Sequence, residues 1–131
     1  MRCSLQMHRL ATSNQSLYVD VLQPNHYVPN SKPLSPEELD KLIDPAGETG
    51  PVVKRLFPLL QQKSVELRQQ GVNFSDQTLV FAGCSEKLYV DPWCHFNTEG
   101  NRILCESISA TVLKMLDVDR ADIEGQTAKD G

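Results

Sequence analysis

Several features are scarce in these 131 residues, and each scarcity excludes something. No apolar run approaches the roughly 18 residues that a membrane-spanning helix needs. The opening stretch MRCSLQMHRL lacks the apolar core of a signal peptide. With 7 glycines and 8 prolines the chain is not low-complexity. Charge of one sign is also sparse. The net charge is −4, which argues against nucleic acid or an anionic membrane as the main partner. Most of that charge sits at one end: residues 117–131 hold five acids and two bases, with few apolar side chains among them. This acidic tail is expected to be disordered in solvent, leaving residues 1–116 as one nearly neutral domain. The compartment is left open.

Four cysteines are present, Cys3, Cys84, Cys94 and Cys105, but no C-x-x-C pair. Reduced thiols are the favoured reading, with Cys84–Cys94 the most local disulfide alternative. A zinc site from Cys84, Cys94, His95 and Cys105 is conceivable, but the missing close-spaced pair speaks against it.

The periodicity of what remains predicts an α/β chain. Residues 2–12 form a weak helix, and Leu17–Leu22 reads as a mostly buried strand. Pro24, Pro29 and Pro33 mark a loop. Ser35-Pro36-Glu37-Glu38 has the signature of a helix start with a reciprocal cap. A second helix is predicted from Pro51 to Gly71, with a kink or restart at Pro58. A second buried strand is predicted over Thr78–Ala82. After a short extended piece, Asn97 caps a helix over 98–116. Strand, helical crossover and strand in this order imply a parallel pair with flanking helices. Two strands are few for a parallel sheet, which is normally buried on both faces.

The segment from Tyr89 to Asn101 carries the chemistry. His95 lies on a loop just before a helix, with Asp91 four residues upstream. A carboxylate that holds one ring nitrogen leaves the other to act as a general base. On spacing alone the commoner arrangement is a turn closed by Asp91 and Pro92, with His95 a partly buried loop residue. Gln23, Asn25 and His26 follow a strand, where α/β proteins place ligands, although loop polarity explains them equally well. Trp93 either walls a pocket or packs.

Asp91, His95-Phe96-Asn97 and Gly100-Asn101 together resemble the final block of the SGNH (GDSL-type) hydrolases. Leu17 to Tyr27 is similar to a later strand and substrate-side loop of that family, and Lys32 to Glu38 to the helix that follows. The likeness covers about residues 5–116 in the family's order. It implies the C-terminal part of a flavodoxin-like three-layer αβα fold whose N-terminal strands are absent. It also implies a serine ester hydrolase working through an acyl-enzyme, with a small-molecule ester as substrate and no metal or cofactor. His95 would be the base, Asp91 its orienting carboxylate, and Gln23, Asn25 and Trp93 substrate-side residues.

Two departures qualify the resemblance. The family spaces these residues Asp-x-x-His, whereas this chain has Asp-x-x-x-His; either the extra residue bulges, with Pro92-Trp93 turned outward and the contact kept, or Asp91 misses the ring and a backbone carbonyl holds it. The family's Gly-Asp-Ser nucleophile block and its oxyanion glycine and asparagine have no counterpart here; Ser85 follows the wrong strand. The chain is therefore expected to be a truncated or split C-terminal portion, inactive alone and complemented by an N-terminal segment. The rival expectation is a non-catalytic fragment or interaction module that completes its sheet with a partner chain. On either, the isolated chain is expected to expose an apolar sheet edge and to be aggregation-prone.

Overall fold

The computed structural model describes the backbone of residues 2–127 and the side chains of residues 2–116. The elements run α1 (Arg2–Ser13), β1 (Val19–Leu22), α2 (Pro36–Leu42), α3 (Thr49–Gln69), β2 (Asn73–Asp76) and α4 (Thr98–Thr127). The two strands pair in parallel, with Val19 opposite Asn73 and Leu22 opposite Asp76. The chain is thus a small α/β fold of four helices and a two-stranded parallel sheet among the described residues. The helix predicted over 98–116 continues as helical backbone to Thr127, into the stretch expected to fray; the side chains of residues 117–131 and the backbone of 128–131 lie outside the described residues.

The second strand is not where the apolar run placed it. It is Asn73–Asp76, and Thr78–Gly83 is a series of turns. Asp76 causes the switch. Its Oδ1 accepts from the Thr78 backbone N–H at 3.0 Å and from the Thr78 hydroxyl at 2.7 Å. This Asx turn bends the chain away one residue after the last ladder bond, from Gln77 N–H to the Leu22 carbonyl. Turn bonds from Val80, Ala82 and Cys84 follow. Phe81 is fully buried while Leu79 is exposed, so the β-rich run is a coil around one anchor. β1 also departs from expectation, because all four of its residues are only half-buried.

Helices pack on both faces of the pair. Phe74 of β2 joins Leu67 and Val72, with Leu5 of α1 and Tyr18 and Leu22 from the β1 side. Ser75, pointing the other way, meets Thr111 of α4 at 3.4 Å, and Ser107 donates to Gln77 at 2.7 Å. One face is therefore apolar and the other is held through hydroxyl and amide groups. The joint at the end of α3 follows from Gly71. Its φ of +82° allows Gly71 N–H to reach the Arg68 carbonyl and Val72 N–H the Leu67 carbonyl. Val72 and Leu67 then share the apolar cluster that packs on β2. Pro58 does not restart α3, which runs as one helix through it.

The loop between β1 and α2 is fixed by a buried ion pair. Lys32 Nζ lies 2.9 Å from Glu38 Oε1, with side chains 0% and 4% exposed. Glu38 also completes the predicted reciprocal cap: Ser35 N–H donates to its Oε2 at 3.0 Å, and its own N–H donates to Ser35 Oγ at 3.2 Å. Burial raises the Glu38 pKa, but the bonds from Ser35 and the Lys32 ammonium outweigh it and hold the carboxyl below its usual value. A carboxyl depressed in this way stabilises the fold above its unfolded value of about 4.3 and loses that contribution as the pH falls through the folded one.

Lys32→Met should cost about 3–5 kcal/mol in urea unfolding, because it leaves a buried carboxylate unpaired. Lys32→Met combined with Glu38→Gln should recover part of that loss and flatten the stability curve below pH 4.5. A single variant as stable as the parent would remove the ion pair from this role.

Candidate functional site

Asp91 and His95 stand on a short loop that closes on itself. Tyr89 and Phe96 form an antiparallel bridge. Val90 N–H donates to the His95 carbonyl at 3.0 Å and Asn97 N–H to the Leu88 carbonyl at 2.9 Å. Leu88 and Tyr89 are buried, and Phe81, Tyr89 and Phe96 meet ring against ring at 5.3–5.8 Å. Asn97 caps α4 as expected, its Oδ1 accepting from Gly100 N–H at 2.8 Å. Gly100 is small by necessity, since a Cβ there would lie 3.0 Å from the Phe96 Cβ and 3.3 Å from the Leu88 carbonyl oxygen. The helix start therefore sits directly against the loop that carries His95.

The two residues are in contact. Asp91 Oδ2 lies 2.6 Å from His95 Nδ1, while Oδ1 accepts from the backbone N–H groups of Trp93 at 2.9 Å and His95 at 3.3 Å. Slight burial raises the Asp91 pKa. The bonds from the His95 ring and the two N–H groups, with the histidine's charge, more than reverse this and hold the carboxyl below its usual value. An ionised carboxylate only accepts, so the neutral imidazole carries its proton on Nδ1 and presents Nε2 as a lone pair. The His95 side chain is 71% exposed and that of Asp91 25%. The nitrogen that could take a proton therefore faces solvent.

Between Asp91 and His95 the loop bulges. Trp93 is 76% exposed, and Cys94 turns inward at φ +68°. A non-glycine residue there stores strain on the order of 1–3 kcal/mol unless its surroundings hold it. Cys94 packs in the apolar cluster with Leu42, Phe81, Leu88 and Tyr89, and its Sγ lies 3.4 Å from His26 Nδ1. Both side chains are buried. Burial pushes the His26 pKa down, against the pull of the Leu42 carbonyl and the Asp91 charge, and pushes the Cys94 thiol up. The pair is a neutral thiol–imidazole contact and not a thiolate nucleophile. His26 also packs against the rings of Tyr27 at 4.6 Å and Tyr89 at 4.9 Å, and its Nε2 is sealed from solvent without a well-formed hydrogen bond.

The remaining sequence candidates scatter. Gln23 is exposed at the end of β1. Asn25 is buried, and its Oδ1 accepts from Tyr27 N–H at 2.9 Å, closing a turn. Two hollows lie elsewhere: about 640 Å³ between β2 and α4, and about 700 Å³ between the 26–34 loop and the start of α3; neither is lined by Asp91 or His95. All four cysteines are free thiols, and no group of three or more His, Cys, Asp or Glu among the described residues is placed to hold a metal ion. No helix among the described residues is long and apolar enough to cross a membrane. The His26–Cys94 contact joins residues 68 apart, and no sequence spacing announces it.

Comparison with protein families, with curated proteins and with solved structures found no match.

In Asp91→Asn the amide oxygen can still accept from Trp93 and His95, so the loop should keep its shape, while the amide NH₂ donates to Nδ1 and forces the proton to Nε2. Nitrogen-15 NMR of the neutral ring should show Nδ1–H in the parent and Nε2–H in Asp91→Asn. The same tautomer in both proteins would deny Asp91 the orienting role.

Proposed function

We propose that the chain is the C-terminal half of an SGNH-type serine ester hydrolase, supplying the base and its orienting carboxylate to a site whose nucleophile lies on another segment. The observation that carries this reading is the 2.6 Å contact between Asp91 and His95 Nδ1, with the other ring nitrogen turned to solvent on a loop capped by Asn97. In this reading Nε2 takes the proton of a serine hydroxyl as it attacks the ester carbonyl, then returns it to the departing alcohol. Asp91 keeps the imidazole in the tautomer that can do so and stabilises the imidazolium that forms. The fold would be the C-terminal part of a flavodoxin-like three-layer αβα domain; helices on both faces of a parallel pair agree with it. Gln23 and Trp93, both exposed, are the candidate substrate contacts, whereas the Asn25 side chain is engaged in its own turn. No metal or cofactor enters this chemistry.

A second reading has its own support. A two-stranded parallel sheet with a half-buried β1 is an incomplete layer, and Met7, Leu10 and Leu17 near it are exposed, as are Val52, Leu56 and Leu59 of α3. A module that completes its sheet with a partner chain, without catalysis, would look the same.

The readings separate on activity. The chain alone should show no burst with a nitrophenyl ester and no labelling by a fluorophosphonate. Mixed with a segment bearing the family's Gly-Asp-Ser, Gly and Asn blocks, it should turn over ester, and His95→Ala should lower kcat by about 10³-fold or more. Assembly without turnover favours the non-catalytic module. Stoichiometric labelling of the lone chain at one serine would overturn the split-site reading.

A further inference from the structure

We propose that His26 is a positioning residue for His95, acting through the Cys94 thiol. The inference rests on the reading of Asp91–His95 as an oriented base, but its test needs no hydrolysis. The dyad loop is closed by local bonds, and these fix its shape more than its direction. Asp91 binds three groups, all from residues 93 and 95 of the same loop. Between them lies Cys94, the one residue of the 91–95 turn that is buried, and the only one of its backbones with positive φ. Its inward direction is what pushes Trp93 outward on one side and leaves the next residue, His95, on the surface.

The thiol is met at 3.4 Å by His26 Nδ1, from the loop that follows β1. That loop is itself anchored. Tyr27 O–H donates to the Leu42 carbonyl at 3.3 Å and accepts from Asp44 N–H at 3.1 Å, and Lys32 is locked to Glu38 at the head of α2. His26 is clamped between the rings of Tyr27 and Tyr89. A rigid ring thus holds the single inward side chain of the dyad loop.

This assigns distinct work to His26 and to Asp91. Asp91 chooses the tautomer of His95. His26 holds the left-handed turn that lets Asp91 reach the ring. A thiol is not needed as such: any small side chain that hydrogen-bonds to Nδ1 from the same position serves, so Ser should stand in for Cys94 and Ala should not.

The test uses nitrogen-15 NMR of the intact chain, reading the His95 ring nitrogens, together with thermal melts. His26→Phe keeps the ring stacking and removes Nδ1; Cys94→Ala removes the thiol with the smallest change in volume. In each, His95 should lose the Nδ1–H signal held by Asp91 and revert to the mixed tautomers of a free imidazole, while the fold persists. Cys94→Ser should restore the parent signals. Should His26→Phe fail to fold, the Cys94→Ala and Cys94→Ser pair decides alone. A folded Cys94→Ala or His26→Phe that retains the parent His95 tautomer overturns the proposal, as does a Cys94→Ser that behaves like Cys94→Ala. Failure of ester turnover after complementation would sink the hydrolase reading without touching these signals.

Discussion

A buried ammonium cannot remain unpaired, and in this chain that constraint organises the loop on which the site depends. Lys32 is sealed from solvent and finds its only side-chain partner among the described residues in Glu38. The same carboxylate closes the first turn of α2. One charge pair therefore fastens a proline-interrupted loop to a helix that is too short to be stable by itself. Leu42, at the other end of that helix, is fully buried beside Phe81, Leu88 and Tyr89, which are the residues under the dyad loop. The polar anchor and the apolar anchor are thus two ends of one seven-residue helix. Between them they hold His26 and Tyr27 in place.

What this scaffold presents is a histidine that is oriented but not enclosed. Catalytic bases usually work where water is scarce and charges act strongly. Here the side chain is 71% exposed, on the side away from Asp91. An oriented imidazole with nothing opposite it is chemically half of a device. The sheet has the same character, with two parallel strands where a buried parallel layer would have more. In the proposed reading, site and sheet are incomplete in the same sense, and one missing segment would complete both.

Much of the local architecture was legible because it is written in short-range chemistry. Ser35 and Glu38 announce their cap, Gly71 its helix end, and Asn97 the start of α4. The Asp91–His95 contact and the outward Trp93 were expected from the family resemblance, whereas spacing alone favoured a partly buried His95; the ring is exposed and in contact with Asp91. The second strand was misplaced because Thr78–Ala82 has the composition of a strand, while the residue that decides the matter, Asp76, acts through its side chain on the next turn. Composition cannot see that competition. Nor can it see His26, which looks like any polar loop residue until the fold sets it against Cys94. Asn25 illustrates the converse: a ligand-friendly side chain at a favoured place, already bonded to its own backbone neighbour.

The spacing of these contacts along the chain also sets an order of assembly. The bonds that close the dyad loop join residues no more than ten positions apart, as between Asn97 and Lys87, and such closures take on the order of 10–100 ns. The parallel pairing of β1 with β2 and the meeting of His26 with Cys94 must wait for the whole helical crossover to form and fold back. The loop therefore acquires its shape long before it acquires its bearing. During that interval the loop's backbone closure can form while the left-handed turn at Cys94 is still unsupported, so ribosome-bound or partly folded forms would carry a closed loop whose imidazole is not yet held by its carboxylate.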